Sequence, residues 1–599
     1  MNLNPNQEKA VNHGEGPLLI VAGAGSGKTK TLTARVLRLI ERGVPPEAII
    51  AITFTNKAAK EMRARLFAHP DFPKKVFTAL GPAPFVGTFH SLGARILREE
   101  GKALGRSGSF SIFDSDDALR ALRHTLKDMN LDDEQYPPAR IIRSIEAVKN
   151  KLLDPQEYFD PRKYRVFAAY ENYIAKNNAF DFGDLIQKVV TLFDTNPEIK
   201  KCYNERYTHI LVDEYQDVNL AQYRLVKLLA GARGNVSVVG DDAQAIYGWR
   251  HADFTNFLNF EKDWPTASVV TLEENYRSTE TILTAANAVI KNNAFQKPKN
   301  LWTSKAGGPM IVVASAPNAE EESYWITEQI IETLRAIPRA ERTQDGIAIL
   351  YRTNAQSRSI ESALVSAGIP YRIFGGVKFY ERKEIKDIIA GLRIAANPND
   401  LVSRERIEKT FTKKIGASVI EALSGQSPRL NILELITLFL SRGKYFELLE
   451  KKFPNLEERK ENVNELLAGA ADFTELPAFL EHASLMQSGD AENEKAAGGA
   501  SVNLMTIHLA KGLEFDTVFI AGANEGLIPH QMSFKTREEM EEERRLMYVA
   551  MTRARKNLRI SFFHIPSRFL YEIPAELTEY RDLGGRSGGL PEEDIVYLD

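Results

Sequence analysis

The chain has 599 residues, 43% of them hydrophobic and 26% charged, with a formal net charge of −3. That balance is globular, long enough for about four domains at ~150 residues each, and it excludes collagen-like and wholly disordered chains. One cysteine, Cys202, excludes a disulfide framework and a CxxC metal site, and the slight negative charge means that a nucleic-acid partner would be met by local basic grooves.

The opening MNLNPNQEKAV has no basic stretch followed by an apolar one, and no run of 18 apolar residues occurs, so a cytoplasmic protein without membrane contact is expected. Leu18–Val21 is a short apolar run that predicts a buried parallel strand, and Leu32, Val36, Leu39 and Ile40 recur beyond it at helical spacing. Between them lies AGAGSGKT, residues 22–29. Ala22, Gly23, Ala24, Gly25, Ser26 and Gly27 form a turn whose backbone N–H groups can surround phosphate oxygens, and the helix N-terminus adds partial positive charge. In such a loop Lys28 reaches the β- and γ-phosphates and the Thr29 hydroxyl holds Mg²⁺. The usual pattern begins with Gly where this one has Ala22, at the position farthest from the phosphates.

Ala48–Phe54 predicts a second strand and Thr55–Arg65 a helix with Ala58, Met62 and Leu66 on one face. A Pro-rich loop is expected over 70–85, then a short strand and turn over Val86–Ser91. From about 92 to 200 the chain reads as a charged helical insertion without βαβ alternation. The α/β pattern returns at His209–Asp213 and Asn235–Val239. A second α/β set is read at Val269–Leu272, Met310–Ala314, Ile347–Tyr351, Val502–Ile507, Val518–Ala521 and Leu558–Phe562. Helical, charged sequence fills most of 381–500, and 491–501 and the Gly- and acid-rich C-terminal stretch read as flexible.

Asp213 and Glu214 follow a strand, where the first can hold Mg²⁺ through water and the second can orient or deprotonate an attacking water. Gln244, after another strand, can sense a γ-phosphate. Tyr247, Trp249 and Arg250 then read either as core aromatics at a helix start or as a platform for stacking bases and gripping a phosphate. Spacing alone leaves Arg277 and Arg553 open between surface arginines and γ-phosphate ligands.

Taken in order, about eight motifs resemble the UvrD/PcrA/Rep group of superfamily 1 DNA helicases, from LNPNQEKAV to SRFLYEIP. The resemblance implies an α/β fold of two RecA-like P-loop cores with parallel sheets, each carrying a mostly helical insertion. The boundaries expected are 1–90, 191–275 (first core), 91–190 (first insertion), 276–380, 501–575 (second core), 381–500 (a shortened second insertion) and 576–599 (a flexible tail). It implies ATP and Mg²⁺ as ligands, with Gln7 and Tyr276 at the adenine, Glu514 at the ribose, Gln244 as phosphate sensor, and Arg277 and Arg553 at the γ-phosphate. It places Phe54, Thr55, Asn56, Thr88, His90, Tyr247, Trp249, Arg250, Arg352, Asn354, Thr506, His508 and Lys511 on single-stranded DNA.

The activity implied is ATP-driven 3′-to-5′ translocation on single-stranded DNA and unwinding of 3′-tailed duplex, in repair, replication or recombination, with repair or replication proteins as partners. Two departures bear on duplex engagement: Lys413-Lys414-Ile415-Gly416 stands where the family has an RGIG-like turn, and a short piece before SRFL is omitted. A motor subunit paired with a separate nuclease, and a translocase that mainly strips proteins from DNA, are the competing readings.

Overall fold

The computed structural model describes residues 2–68, 83–132, 135–338, 346–374, 379–398, 400–426, 429–471, 473–480, 483 and 502–584. Most of the expected 70–85 loop and the 491–501 stretch lie outside them. The chain divides into two units, one of Met1–Tyr276 with Asn293–Ser304, the other of Arg277–Asn292 with Lys305–Asp599.

In the first unit, the apolar runs become strands of one parallel sheet. These are β1 (Leu18–Ala22), β2 (Ile49–Thr53), β3 (Phe85–Thr88), β6 (His209–Val212), β7 (Val236–Gly240) and β8 (Ser268–Leu272), in the order β3-β2-β6-β7-β1-β8. Every residue of β1, β2, β6 and β7 is buried, as strands covered by helices on both faces require. A small parallel pair, β4 (Ser111–Phe113) and β5 (Ala179–Asp181), accompanies the helices between β3 and β6. Two expectations are corrected here. The Val269–Leu272 run, read as opening the second α/β set, pairs with β1 in the first sheet; a buried run carries no label of its sheet. Val86–Thr88 is the expected short strand, within β3, but no turn follows it: the Thr88 side chain caps the helix Phe89–Glu100 directly, in a reciprocal box with Ser91.

The second unit holds β9 (Ile311–Ala316), β10 (Ile347–Tyr351), β11 (Tyr371–Ile373), β12 (Val502–Thr506), β13 (Phe515–Ile520), β14 (Ala554–Phe563) and β15 (Thr578–Asp582). Their order is β11-β12-β10-β13-β14-β9-β15, all parallel. β15 corrects the expectation of a flexible tail from 576, because Thr578–Asp582 pairs with β9 along its whole length. Its polar, half-exposed residues are those of an edge strand, which composition alone cannot separate from a tail. Residues 585–599 lie outside the described part. The helices from Lys383–Ala396 to Leu456–Ala470 bury a core of their own, including Ile388, Phe439, Tyr445 and Val463.

The chain does not pass from one core to the other at a single point. Tyr276, expected in the second core, closes the first unit, and Asn293–Ser304 returns to it. The returning stretch has no helix or strand, so no periodicity announces it. Among the described residues, no helix is long and apolar enough to cross a membrane.

Candidate active site and nucleic-acid interface

The phosphate loop runs from the carboxyl end of β1 into the helix Lys28–Glu41. Gly25 and Gly27 have φ of 66° and 83°, the left-handed region that glycine enters without a Cβ penalty. The Ser26 hydroxyl donates to the Gly23 carbonyl at 2.8 Å, closing the curl. Gln7 is fully buried; its amide donates to the Ser26 carbonyl at 2.9 Å. Asn4 caps the helix that carries Gln7 and donates to the Tyr276 hydroxyl at 2.9 Å. The Tyr276 N–H in turn donates to the Gly25 carbonyl at 3.0 Å, so both candidate adenine residues are tied to the loop. Asn275, which sequence reasoning did not single out, donates to the Ala24 carbonyl at 2.7 Å.

Asp213 and Glu214 stand at the carboxyl end of β6, two strands from β1. The Thr29 hydroxyl donates to Asp213 Oδ2 at 3.0 Å, and Lys28 Nζ lies 3.7 Å from Glu214 Oε1. Burial, and then the neighbouring Glu214 charge, push Asp213 up to about 7 against the pull of Lys28. A hydroxyl and a buried carboxylate in a site short of positive charge are the oxygen donors that a hard divalent cation takes. The residues therefore fit Mg²⁺.

After β7, the Asp241 N–H donates to Gln216 Oε1 at 3.0 Å, and the Gln216 amide donates to Glu214 Oε2 at 2.5 Å. The candidate sensor Gln244 donates from Nε2 to Asp241 Oδ2 at 2.6 Å. Gly240 makes the link possible, since a Cβ there would lie 2.5 Å from Gln216 Oε1. Gln216, inside a short 3₁₀ turn, and Asp241, the residue that caps the next one, carry no periodic signal, so the sequence does not single them out.

Further along the same segment, the Tyr247 ring stacks on Phe54 at 5.2 Å and 15°. Trp249 meets Tyr247 edge-on, with the Arg250 guanidinium 4.6 Å from the Trp249 ring centre. Trp249 is 60% exposed, which excludes the core-aromatic reading. Phe54, Thr55 and Asn56 follow β2, and Thr88 and His90 stand at the end of its neighbour β3. Thr88 is buried in its helix cap, whereas Thr55 and Asn56 are exposed. Phe182, not singled out from the sequence, is exposed and packs edge-on against His90 at 5.7 Å.

In the second unit, Arg277 donates to Glu514 Oε2 at 2.6 Å and to the Thr552 carbonyl at 3.0 Å. Arg553 is 1% exposed and donates to the carbonyls of Val549 and Leu513 at 2.9 and 3.1 Å. Glu514, the expected ribose residue, is taken up by Arg277 and Arg555; against the burial that would raise it, their charges and hydrogen bonds hold it down at about 2. Glu514 and Arg553 precede the paired strands β13 and β14, at the amino edge of the sheet. Arg352 and Thr506 stand at the opposite, carboxyl edge, at the ends of β10 and β12. There Arg352 is forked onto Glu543 at 2.7–3.2 Å, Asn354 donates to Glu458 of the helix Leu456–Ala470, and Thr506 is buried. His508 and Lys511 follow in a half-exposed turn.

The glycine loop, the acids two strands away and a second parallel sheet with the buried Arg553 at its amino edge define a two-core P-loop nucleotide-hydrolysing protein. The chain belongs to the UvrD/REP helicase family. Residues 3–265 match the UvrD/REP helicase N-terminal domain, and residues 270–460 and 443–564 match the UvrD-like helicase C-terminal domain. Three similar curated proteins bear the name ATP-dependent DNA helicase PcrA. That of Bacillus subtilis (strain 168) is 41% identical over 650 aligned positions, covering 96% of this chain and 86% of the relative. That of Staphylococcus aureus (strain Mu50) is 39% identical, covering 98% and 88%, and that of Staphylococcus epidermidis (strain RP62A) is 39% identical, covering 96% and 87%.

Proposed function

We propose that this protein hydrolyses ATP to move 3′-to-5′ along single-stranded DNA and to separate 3′-tailed duplex, in DNA repair or in replication and recombination. The observation that carries the reading is the segment Gly240–Arg250. Within eleven residues it joins a candidate phosphate sensor, bonded through Asp241 to the Glu214 network, to an exposed aromatic–guanidinium platform. The curated relatives are named as ATP-dependent DNA helicases, which supports its coarser part, ATP-driven action on DNA.

In this reading Gln7 and Tyr276 meet the adenine, and Glu514, released from Arg277, meets the ribose. Residues 22–28 hold the phosphates through backbone N–H groups and Lys28. Thr29 and Asp213 hold Mg²⁺, which when bound neutralises charge developing on the phosphate oxygens. Glu214 orients a water and takes its proton as the water oxygen bonds to the γ-phosphorus and the bond to the ADP oxygen breaks. Arg277 and Arg553 supply positive charge to that transition state. Gln244 reports loss of the γ-phosphate to the Tyr247–Trp249–Arg250 platform, whose grip on a base changes with it. Thr55, Asn56, Thr88, His90, Arg352, Asn354, Thr506, His508 and Lys511 make the remaining strand contacts; Arg352 and Asn354 exchange Glu543 and Glu458 for phosphates to do so.

The test is strand displacement on 3′-tailed, 5′-tailed and blunt DNA, and on matching RNA, beside single-strand translocation. Unwinding confined to the 3′-tailed DNA is expected; unwinding from a 5′ tail sinks the polarity, and translocation without unwinding favours a protein-stripping role. Lys28→Ala should lower kcat for ATP about 100-fold or more while leaving the thermal midpoint in place. Normal turnover in that variant refutes the assignment.

A further inference from the structure

The strap Asn293–Ser304 is flanked in sequence by residues of the second unit but packs within the first. Leu301 is buried against the phosphate loop, where a Cβ on Gly23 would lie 2.1 Å from Leu301 Cδ2. The Trp302 carbonyl accepts the Asn275 N–H at 2.7 Å. Lys299 is the strap's inward cation: its side chain is 5% exposed, and Nζ lies 3.0 Å from Asp241 Oδ1 and 2.7 Å from Asp242 Oδ1. The Lys297 N–H donates to the other Asp242 oxygen at 3.2 Å.

Two adjacent buried carboxylates persist only when paired, since an uncompensated charge in the interior is strongly destabilising. The pairing also has a directional consequence. Asp241 Oδ2 accepts from Gln244 Nε2 at 2.6 Å, and Oδ1 accepts from the Ala243 N–H at 3.2 Å as well as from Lys299. An ionised carboxylate accepts at both oxygens, whereas a protonated one presents a donor on one of them. An acceptor at Oδ2 decides which end of the Gln244 amide faces Asp241.

We propose that Lys299 is a positioning residue for nucleotide turnover: it holds Asp241 as the acceptor that orients the Gln244 amide, from a strap that also seats the phosphate loop through Leu301. The proposal rests on the reading of Gln244 as the γ-phosphate sensor. Lys299 acts through Asp241 and does not touch the nucleotide.

The test is a kinetic cycle on the full chain, measuring kcat and KM for ATP with single-stranded DNA present, in Lys299→Met, Lys299→Arg, Gln244→Ala and the Lys299→Met/Gln244→Ala pair. Lys299→Met should lower kcat about 10-fold or more with KM within about 3-fold, and Lys299→Arg should recover most of the loss. The pair should turn over within about 2-fold of Gln244→Ala alone, because both substitutions remove one interaction. Losses that multiply in the pair, or an unchanged kcat in Lys299→Met, overturn the proposal while leaving the sensor reading intact. An unchanged kcat in Gln244→Ala overturns both. Should Lys299→Met fail to fold, Lys299→Met/Asp242→Asn restores the buried charge balance and carries the same comparison.

Discussion

Glu214 adopts the left-handed conformation, φ 51° and ψ 46°, although it has a Cβ. That costs about 1–2 kcal/mol, and the surrounding hydrogen bonds hold it there. The turn places its carboxylate against Lys28 and Gln216. Elsewhere, burial also raises the carboxyl of Glu361. Glu361 accepts from the hydroxyls of Ser357 and Tyr371 and from the Phe379 N–H, and burial pushes it from the ordinary 4.5 to about 7. The folded chain keeps a proton that the unfolded chain releases above pH 4.5. Stability is therefore fully present below pH 4.5, falls as pH rises towards 7, and is level above that. At about 1.4 kcal/mol per unit, the loss is on the order of 3 kcal/mol. Glu361→Gln cannot ionise, so urea unfolding should show its stability gaining on the parent between pH 5 and pH 8 by up to that amount. A difference that stays flat with pH would show that Glu361 does not titrate in this window.

At the scale of elements, the candidate chemistry of the first unit gathers where parallel strands end. β1 delivers the phosphate loop, β6 the acids, β7 the sensor, and β2 and β3 the strand contacts. The platform is the element most open to test. Base stacking on an aromatic residue contributes about 1–3 kcal/mol. Trp249→Ala should therefore weaken single-stranded DNA binding about 5- to 150-fold and slow translocation more than ATP hydrolysis without DNA, measured by stopped-flow strand release beside phosphate release. Translocation at the parent rate in that variant would remove Trp249 from the path. The motifs of this unit were legible because each pairs an apolar run with a polar signature. The strap, Gln216 and Asp241 were not, because their partners are 25 or more residues away in sequence or lie in short turns.

For the whole molecule, a net charge of −3 gives no general attraction to DNA, so affinity rests on local cations. Arg250, Arg352 and Lys511 are the candidate phosphate ligands. At about −0.7 in log affinity per log salt for each phosphate neutralised on a single strand, three contacts predict a slope of about −2. Fluorescence anisotropy between low and moderate salt measures it, and Arg250→Ala should flatten the slope by about 0.7. A salt-independent affinity would mean that these side chains do not meet the backbone. In the second unit the candidate nucleotide residues Glu514 and Arg553 lie at the amino edge of the sheet and Arg352 and Thr506 at the carboxyl edge. One sheet thus keeps the two sets of candidate residues apart.

The two α/β cores, the glycine loop, the paired acids and the order of the motifs can be read from the chain alone, because they depend on local backbone chemistry and on the period of apolar residues. Packing alone reveals that Ser268–Leu272 pairs beside β1, which its apolar run did not disclose although the motif boundaries already set it in the first core, that Thr578–Asp582 is an edge strand, that Arg352 and Asn354 are held by Glu543 and Glu458, and that Lys299 faces Asp241. Those facts depend on which distant segments are brought within a few ångströms, and that is set by packing the whole chain rather than by any stretch of it.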